Sequence, residues 1–516
     1  MQRIWPDTAA LVWAASLAAA LVYPTAVIAA DPVFLNRSGS LPVSHVYDGG
    51  WEHFVGGGVA VFDCNGDSLP EIFAAGGENP VRLFLNTTET AGAPLSFLLG
   101  EVPDLIGVTG AYPLDVDSDG LLDLVVLRAG PNVMLKGQGE CQFTDATKEW
   151  GIVPEDRWTT AFSATWEPGE TWPTLAFGNY VDRADPDGPF GACDDSELFR
   201  PEGEGYSNPQ VLEPGYCPLS MMFSDWFRRG RADLWLSNDR HYYIRGGHEQ
   251  MYRLDEGRFL GAEDGWEEVS IWGMGIAARD LTGDGRPEVM LTSMGDQLLQ
   301  FATAQGFRRA PYETGATAHR PFTGDDGRPS TGWHAAFDDV NNDGLADIFI
   351  SKGNVDQMPG LAMHDPNNLL MGRPDGTFVE AAAIAGIATM SRSRGAALAD
   401  LNGDGLRDLV VINRRAPMEV WQNATAGGGN WVDVELRQNG SNTRAIGAWV
   451  ELRDTSGIRL QELTVGGGHA SGTAVPLHFG LGQAGSAEVR VTWPDGKVSE
   501  WSVVPINDLT TITRDR

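Results

Sequence analysis

Five short acidic segments are the feature of this 516-residue sequence that could most readily do chemistry. Each places an oxygen-bearing side chain at positions 1, 3, 5 and 9. Carboxylates packed this densely repel one another unless a cation lies among them, and calcium accepts six to eight such oxygen ligands. No His or Cys belongs to the pattern, so zinc and copper are disfavoured. We therefore predict about five Ca²⁺ sites, numbered in chain order: loop 1 (Asp63, Asn65, Asp67, Glu71), loop 2 (Asp115, Asp117, Asp119, Asp123), loop 3 (Asp280, Thr282, Asp284, Glu288), loop 4 (Asp339, Asn341, Asp343, Asp347) and loop 5 (Asp400, Asn402, Asp404, Asp408).

The five loops are not expected to bind calcium equally. Loop 2 has four carboxylates and should bind it most tightly, whereas loop 3 has Thr282 at position 3 and should be weaker. Loop 1 lacks the glycine that the other loops carry at position 6, where a sharp turn is needed. Solvated acidic turns are one alternative, which the common period of the loops disfavours. EF-hands are another, but they need a bidentate Glu at position 12 and flanking helices.

Short strands must position these loops. Small and apolar residues precede each loop and a short apolar run follows it, and these runs are too short for helices. The first aspartates are separated by 52, 165, 59 and 61 residues, and the long step is three times 55. Two further repeats therefore begin at Trp166 and Asp225, where the apolar strands are kept but the ligands are lost. An all-strand repeat of this length fits a four-stranded propeller blade.

The predicted fold is all-β: a seven-bladed β-propeller over residues 31–423, followed by a small β-sandwich over residues 424–516. The last blade has only three strands before the glycine-rich linker ATAGGGN begins. The segment 32–46 is left over before the first blade. We expect it to supply the missing strand and to close the ring, which would remove the open sheet edges.

Residues 1–30 are typical of a secretory signal peptide, with an apolar core and the sequence AVIAA before Asp31. The alternative is a retained membrane anchor; after cleavage we expect no membrane insertion. The net charge of −33 disfavours nucleic acid and anionic membranes as partners. Four cysteines in an exported chain permit disulfides. We predict a Cys193–Cys217 bridge inside one glycine- and proline-rich insertion, and leave a Cys64–Cys141 bridge open.

The loops and the tail together resemble a known family. The D-x-[DN]-x-D-G-x-x-D loops resemble the FG-GAP (VCBS-type) repeats of integrin α-chain propellers. The tail, with NWVDVELRQNGSNTRAIGAWVEL, GGGHASGTAVPLHFGLG and VRVTWPDGK, resembles the ASPIC/UnbV domain of the cartilage acidic protein family and of many bacterial secreted proteins. The resemblance implies a secreted or periplasmic calcium-binding propeller, with roles in matrix or cell-surface interaction in animals. It implies no metal in the repeats at Trp166 and Asp225, which depart from the motif.

Two functions stay open at this point. The first is a non-enzymatic binding or adhesion scaffold for an extracellular or periplasmic protein or polysaccharide, because the sequence contains no HExxH, GxSxG or Walker motif. The second is a hydrolase or lyase acting on an extracellular polymer at the axial face of the propeller. The acidic insertion 182–205 would then line a pocket with His241, Tyr242, Tyr243 and Arg245. A deep axial pocket with two carboxylates would favour the enzyme.

Overall fold

The computed structural model describes residues 30–153, 155–186, 188–189, 191–239, 246–304, 306–317, 331–356 and 362–514. The predicted signal peptide, apart from Ala30, and the residues from His241 to Arg245 lie outside the described residues. Within the described ranges, no helix is both long and apolar enough to cross a membrane.

Strands dominate the structure and, from β1 (Phe34–Asn36) to residue 423, pair into seven four-stranded antiparallel sheets among the described residues. We call these sheets blades. Blades 1 to 3 consist of β2 (Val59–Phe62), β3 (Glu71–Ala74), β4 (Arg82–Asn86) and β5 (Phe97–Leu99); β6 (Val108–Leu114), β7 (Asp123–Arg128), β8 (Val133–Gly137) and β9 (Phe143–Asp145); and β10 (Thr159–Thr165), β11 (Thr174–Asn179), β12 (Ser196–Phe199) and β13 (Gln210–Leu212). Blades 4 and 5 consist of β14 (Pro218–Ser224), β15 (Asp233–Asn238), β16 (Gln250–Arg253) and β17 (Arg258–Phe259); and β18 (Gly273–Arg279), β19 (Glu288–Ser293), β20 (Leu298–Thr303) and β21 (Gly306–Arg309). Blade 6 consists of β22 (Gly332–Asp338), β23 (Asp347–Lys352), β24 (Asn368–Gly372) and β25 (Phe378–Glu380), and blade 7 of β26 (Arg392–Ala399), β27 (Asp408–Arg414), β28 (Glu419–Asn423) and β1.

The blades form a closed ring. The first strand of each blade contacts the first strand of the next, and β26 of blade 7 contacts β2 of blade 1. Strand β1 pairs antiparallel with β28, with Phe34 opposite Asn423, so the N-terminal strand is the fourth strand of blade 7. The molecule is therefore an all-β propeller, as the sequence predicts.

The innermost strands are buried on both faces, which explains their composition. Every residue of β6, β10 and β14 is buried, and their sequences VTGAYPL, TTAFSAT and PLSMMFS are small or apolar without alternation. Such continuous runs are typical of strands covered on both sides. Helices are minor: α1 (Ala382–Ala385) is a single turn, and four 3-10 turns span Ser38–Ser40, Trp51–His53, Ala262–Asp264 and Tyr312–Thr314.

Both cysteine pairs form disulfides. Cys193 is bonded to Cys217, as predicted, and Cys64 is bonded to Cys141, which ties loop 1 to the turn between β8 and β9. The expectation that residues 182–205 form a loop-like insertion is wrong in part. Strand β12 (Ser196–Phe199) lies inside this segment and pairs with β11 and β13, so these four residues belong to blade 3.

The C-terminal residues form a second β domain with two facing sheets. The strand order in one sheet is β33 (Leu477–Gly482), β29 (Asn430–Gln438) and β36 (Asp508–Arg514). The strand order in the other sheet is β31 (Gly457–Glu462), β30 (Trp449–Asp454), β34 (Ala487–Thr492) and β35 (Ser502–Val504). Val432, Val434 and Phe479 of the first sheet share one buried core with Val450 and Val489 of the second. This is a small β-sandwich. A further strand, β32 (Gly472–Ala474), leaves it and pairs in parallel with β2 of blade 1.

Candidate metal centres

The five acidic loops occupy the same place in their blades. Each links the first strand to the second, and its position 9 is the first residue of the second strand. These position-9 residues lie opposite the last residue of the first strand, as in the pairs Phe62–Glu71, Leu114–Asp123 and Ala399–Asp408. The repeat in the sequence therefore becomes a repeat in space at one end of the ring.

In each loop, backbone N–H groups donate hydrogen bonds to the carboxylate at position 1, so the loop curls around this side chain. In loops 2 and 5, for example, the N–H groups of Gly120 and Gly405 at position 6 donate to Asp115 and Asp400 over 2.9 and 2.7 Å. Position 6 is left-handed in every loop, with φ between +69° and +93°. In loop 1 this residue is Ser68, which adopts φ +69° and donates to Asp63 over 2.9 Å. Loop 1 therefore makes the same turn without glycine, at some backbone strain.

The carboxylate at position 9 is buried behind the loop. One of its oxygens accepts the N–H of position 2, at 2.7 Å for Val116 to Asp123 and 2.8 Å for Leu401 to Asp408. Its other oxygen accepts an N–H of the third strand, at 2.9 Å for Gly137 to Asp123. Position 9 therefore anchors the loop to its blade.

Crowding of these acids disfavours their charged forms when no cation is present. Burial, helped by neighbouring carboxylates, raises the pKa of Glu71 and of Asp123 to about 8 and that of Glu288 to about 7. Burial and the nearby Asp400 raise the pKa of Asp408 well above its usual value. A divalent cation among these oxygens would reverse this electrostatic cost.

The donor set suits calcium. All candidate ligands are carboxylate, amide or hydroxyl oxygens, which a hard cation prefers. In loop 2, oxygens of Asp115, Asp117 and Asp119 lie within 4.8 Å of one another. In loop 5, the side-chain oxygen at position 3, Oδ1 of Asn402, is buried without a hydrogen-bond partner. Buried polar atoms in native folds are normally satisfied, so this unpaired oxygen is consistent with a missing ligand.

The two degenerate repeats keep the turn but lack the full set of acids. In blade 4 the N–H groups of Arg229 and Gly230 donate to Asp225 over 2.6 and 2.8 Å, as in the acidic loops. The guanidinium of Arg229, at position 5, contacts the carboxylate of Asp233 at position 9. In blade 3 the turn begins at Trp166, which is partly buried against the neighbouring core.

The C-terminal domain docks on the face that carries the loops, a contact that the sequence does not reveal. The hydroxyl of Thr443 donates to Asp115 of loop 2, and Asp433 pairs with Arg407 of loop 5 over 2.7 Å. His478 contacts Asn342 of loop 4 over 2.6 Å. The linker contributes as well, because the N–H of Gly429 donates to Asn341 over 3.1 Å.

A second contact fills the axis of the ring. Residues 465–474, which we call the plug, leave the C-terminal domain and touch the innermost strands one after another. Val465 lies beside Ala164, Gly466 beside Met222, Gly468 beside Ile276 and Ser471 beside Ala111. The signals in the sequence were the glycine run GGGHASG and the glycines of the innermost strands, whose partners lie hundreds of residues away.

Two neutral histidines fasten the plug. The N–H of His469 donates to Nδ1 of His334 over 3.0 Å, and Nε2 of His469 accepts the N–H of Gly56 over 3.1 Å. Both acceptor nitrogens must be unprotonated. Burial lowers the pKa of His334 to about 3 and that of His469 to about 4.

These histidines should make the fold acid-sensitive. Their pKa values are lower in the folded state than the ordinary 6.5, so the unfolded chain takes up protons first as the pH falls below about 6.5. Each should cost about 2 kcal/mol of unfolding free energy between pH 7 and pH 5. Urea titrations with excess calcium should show a smaller pH slope for His334→Asn than for the natural chain. The exposed His364→Asn is the control, and an equal slope for all three proteins would contradict the assignment.

Fold and site define an all-β propeller protein with acidic loops and a docked C-terminal β domain. Comparison with known families assigns both parts: the FG-GAP-like repeat matches residues 63–126 and 339–411, and the ASPIC and UnbV domain matches residues 438–516. The chain therefore carries FG-GAP-like repeats and a C-terminal ASPIC/UnbV domain, which confirms the resemblance found in the sequence.

Among curated proteins, the chain is similar to cartilage acidic protein 1. It is 34% identical to the Mus musculus protein over 116 residues, which is 22% of this chain and 18% of that one. It is 34% identical to the Homo sapiens protein over 111 residues, or 21% and 17% of the two chains. The match spans less than a fifth of the length of these curated relatives.

Among solved structures, one chain of the lead-soaked complex of BBS1N with ARL6DN is similar with a TM-score of 0.47 and 9% identity, over 78% of this chain and 99% of that one. A rhamnogalacturonan lyase from Bacillus licheniformis gives a TM-score of 0.36 and 11% identity, over 76% and 75% of the two chains.

Proposed function

We propose that this chain is an exported calcium-binding scaffold that binds an extracellular or periplasmic protein or polysaccharide without transforming it. The observation that carries the proposal is the position of the acidic loops. All five present oxygen donors at one end of the propeller, and the C-terminal domain docks against loops 2, 4 and 5 there. Calcium in these loops would neutralise the acids and stabilise both the blades and the domain interface. Two disulfides agree with an oxidising compartment.

The ligand surface that we propose is a cleft between blades 5 and 6 and the C-terminal domain. Its volume is about 930 Å³, within the range of about 300 to 1,000 Å³ of small-ligand sites. Residues of loops 3 and 4 line it, together with Arg308, Arg373 and the partly buried Phe301. Such a surface offers one aromatic ring for stacking and two guanidinium groups for hydrogen bonds to a polymer.

The hydrolase or lyase alternative has less support. The plug fills much of the axis and leaves a chamber of about 210 Å³, below the usual range for ligand sites. Asp338 and Glu462 line that chamber, but Glu462 already accepts hydrogen bonds from Ser224 and from the N–H of Asp225. An axial pair of free carboxylates is therefore not available there.

The calcium part of the proposal is tested by counting bound ions. Metal analysis after equilibrium dialysis should find several Ca²⁺ per chain, and Asp400→Asn should remove one because it takes a charge from position 1 of loop 5. Asp225→Asn is the matched control, since Asp225 has the same position in the degenerate loop of blade 4. Absence of calcium from the natural chain, or equal losses in both variants, would refute the proposal.

The ligand part is tested on immobilised polysaccharides and matrix proteins. Charge reversal at the cleft, Arg308→Glu or Arg373→Glu, should weaken binding at least tenfold. Arg309→Glu should not, because Arg309 is the exposed neighbour of Arg308 in β21 and does not line the cleft. Release of shortened products from a polysaccharide by the natural chain would instead support the hydrolase or lyase.

A further inference from the structure

Loop 2 already holds a positive charge. Lys136 lies on β8, the third strand of blade 2, and its Nζ contacts Oδ2 of Asp117 and lies 3.1 Å from Oδ2 of Asp119. These two residues are positions 3 and 5 of the loop, which are ligand positions in the motif. Asp115 at position 1 is engaged as well, since Thr443 of the C-terminal domain donates to it. The loop with the most carboxylates is thus the one in which an ammonium group already pairs with two of them.

The strand register shows that every blade has a residue equivalent to Lys136 on its third strand. In blade 2, Leu124 follows position 9 and pairs with Leu135, and Lys136 is the next residue on the third strand. In blades 1, 5, 6 and 7 the equivalent third-strand residue is uncharged: Leu85, Phe301, Met371 and Gln422. The four other acidic loops therefore lack a cation at this place.

Both degenerate blades have an arginine there. Arg253 of blade 4 lies 3.9 Å from Asp233, and Arg200 of blade 3 pairs with Glu167 over 2.7 Å. A cation at this third-strand position thus accompanies the loss of the acidic motif in two blades. Blade 2 shares that cation while keeping its acids.

We infer that Lys136 is a built-in cation that takes the place of calcium in loop 2, so that the protein binds four calcium ions, in loops 1, 3, 4 and 5. This inference rests on the proposed calcium-binding function. An ammonium held by its own strand is present at high effective concentration and pays little entropy to remain among the carboxylates. Calcium must displace this partly exposed ammonium, and its binding therefore loses the ion pairs of Lys136 with Asp117 and Asp119. Loop 2 is then the weakest of the five sites and not the tightest.

The test is the change in calcium count on removal of the ammonium. Lys136→Met introduces the residue that blade 6 has at the equivalent place, and Lys136→Gln introduces a residue like Gln422 of blade 7. Calorimetric titration of chelator-treated protein with CaCl₂ should give four ions for the natural chain and five for either variant. Five ions in the natural chain, or no gain in both folded variants, would overturn the inference.

The reverse substitution is the matched control. Met371→Lys should place an ammonium beside loop 4 and reduce the count by one, because Met371 holds the place in blade 6 that Lys136 holds in blade 2. The absolute count in the natural chain decides the proposed function, whereas the difference between the natural chain and Lys136→Met decides the role of Lys136. A natural chain without calcium would refute the function, and a single ion gained by Lys136→Met would still support the inference.

Discussion

Removal of calcium is expected to lower the melting temperature of the protein by about 10 °C or more. A ligand that binds only the folded state contributes about 2.7 kcal/mol at a concentration of 100 times its Kd. Several filled loops therefore contribute an amount comparable with the whole stability of a typical domain, about 5–15 kcal/mol. For a fold of this size, a change of about 1 kcal/mol in unfolding free energy shifts the melting temperature by about 1 °C. Differential scanning calorimetry before and after exhaustive chelation measures the shift.

The control for this experiment compares the recovery of the melting temperature with calcium and with magnesium. Calcium added back should restore the melting temperature, whereas magnesium at equal concentration should restore little of it, because magnesium demands octahedral geometry and keeps its water. The C-terminal domain should respond too, since it contacts loops 2, 4 and 5. A melting temperature that does not change on chelation would contradict calcium binding and would mean that the loops are solvated acidic turns.

The repeat could be predicted from sequence because its signal is local. Positions 1 to 9 of each loop are contiguous, and the hydrogen bonds within a loop join residues two to seven apart, such as Gly405 to Asp400 and Leu401 to Asp408. The same holds for the all-β class, which follows from short apolar runs on a regular period. The closing contact of Phe34 with Asn423 was expected from a count of strands, although it joins the two ends of the ring.

The docked domain and the plug could not be predicted in this way. Their contacts join residues such as Val59 and Ser471, or Gly56 and His469, which are more than 400 positions apart. A glycine run such as GGGHASG is usually taken for a flexible loop. It is instead a packed segment whose glycines allow close approach to the innermost strands. The role of Lys136 was missed for a related reason, since it depends on strand register and not on the loop itself.

Gly58→Ala should be among the most destabilising single changes in the molecule. Gly58 lies directly before β2, and a Cβ there would fall 1.7 Å from the carbonyl oxygen of Ala470 in the plug. The φ of Gly58 is not in the left-handed region, so alanine suits the backbone and the whole effect is steric. Backbone cannot yield as a flexible side chain does, so the plug must leave the axis.

We expect Gly58→Ala to cost about 4 kcal/mol or more of unfolding free energy, which urea titration measures. Limited proteolysis should also begin to cut within residues 465–474, where the natural chain is protected. Gly485→Ala is the control: no atom lies within 4 Å of its added Cβ and its φ is not left-handed, so its stability should be unchanged or slightly raised. A fully stable Gly58→Ala with an intact plug would mean that the C-terminal domain is not held through the axis. Because the plug reaches the innermost strands of several blades, its loss should weaken the ring as a whole and not one blade.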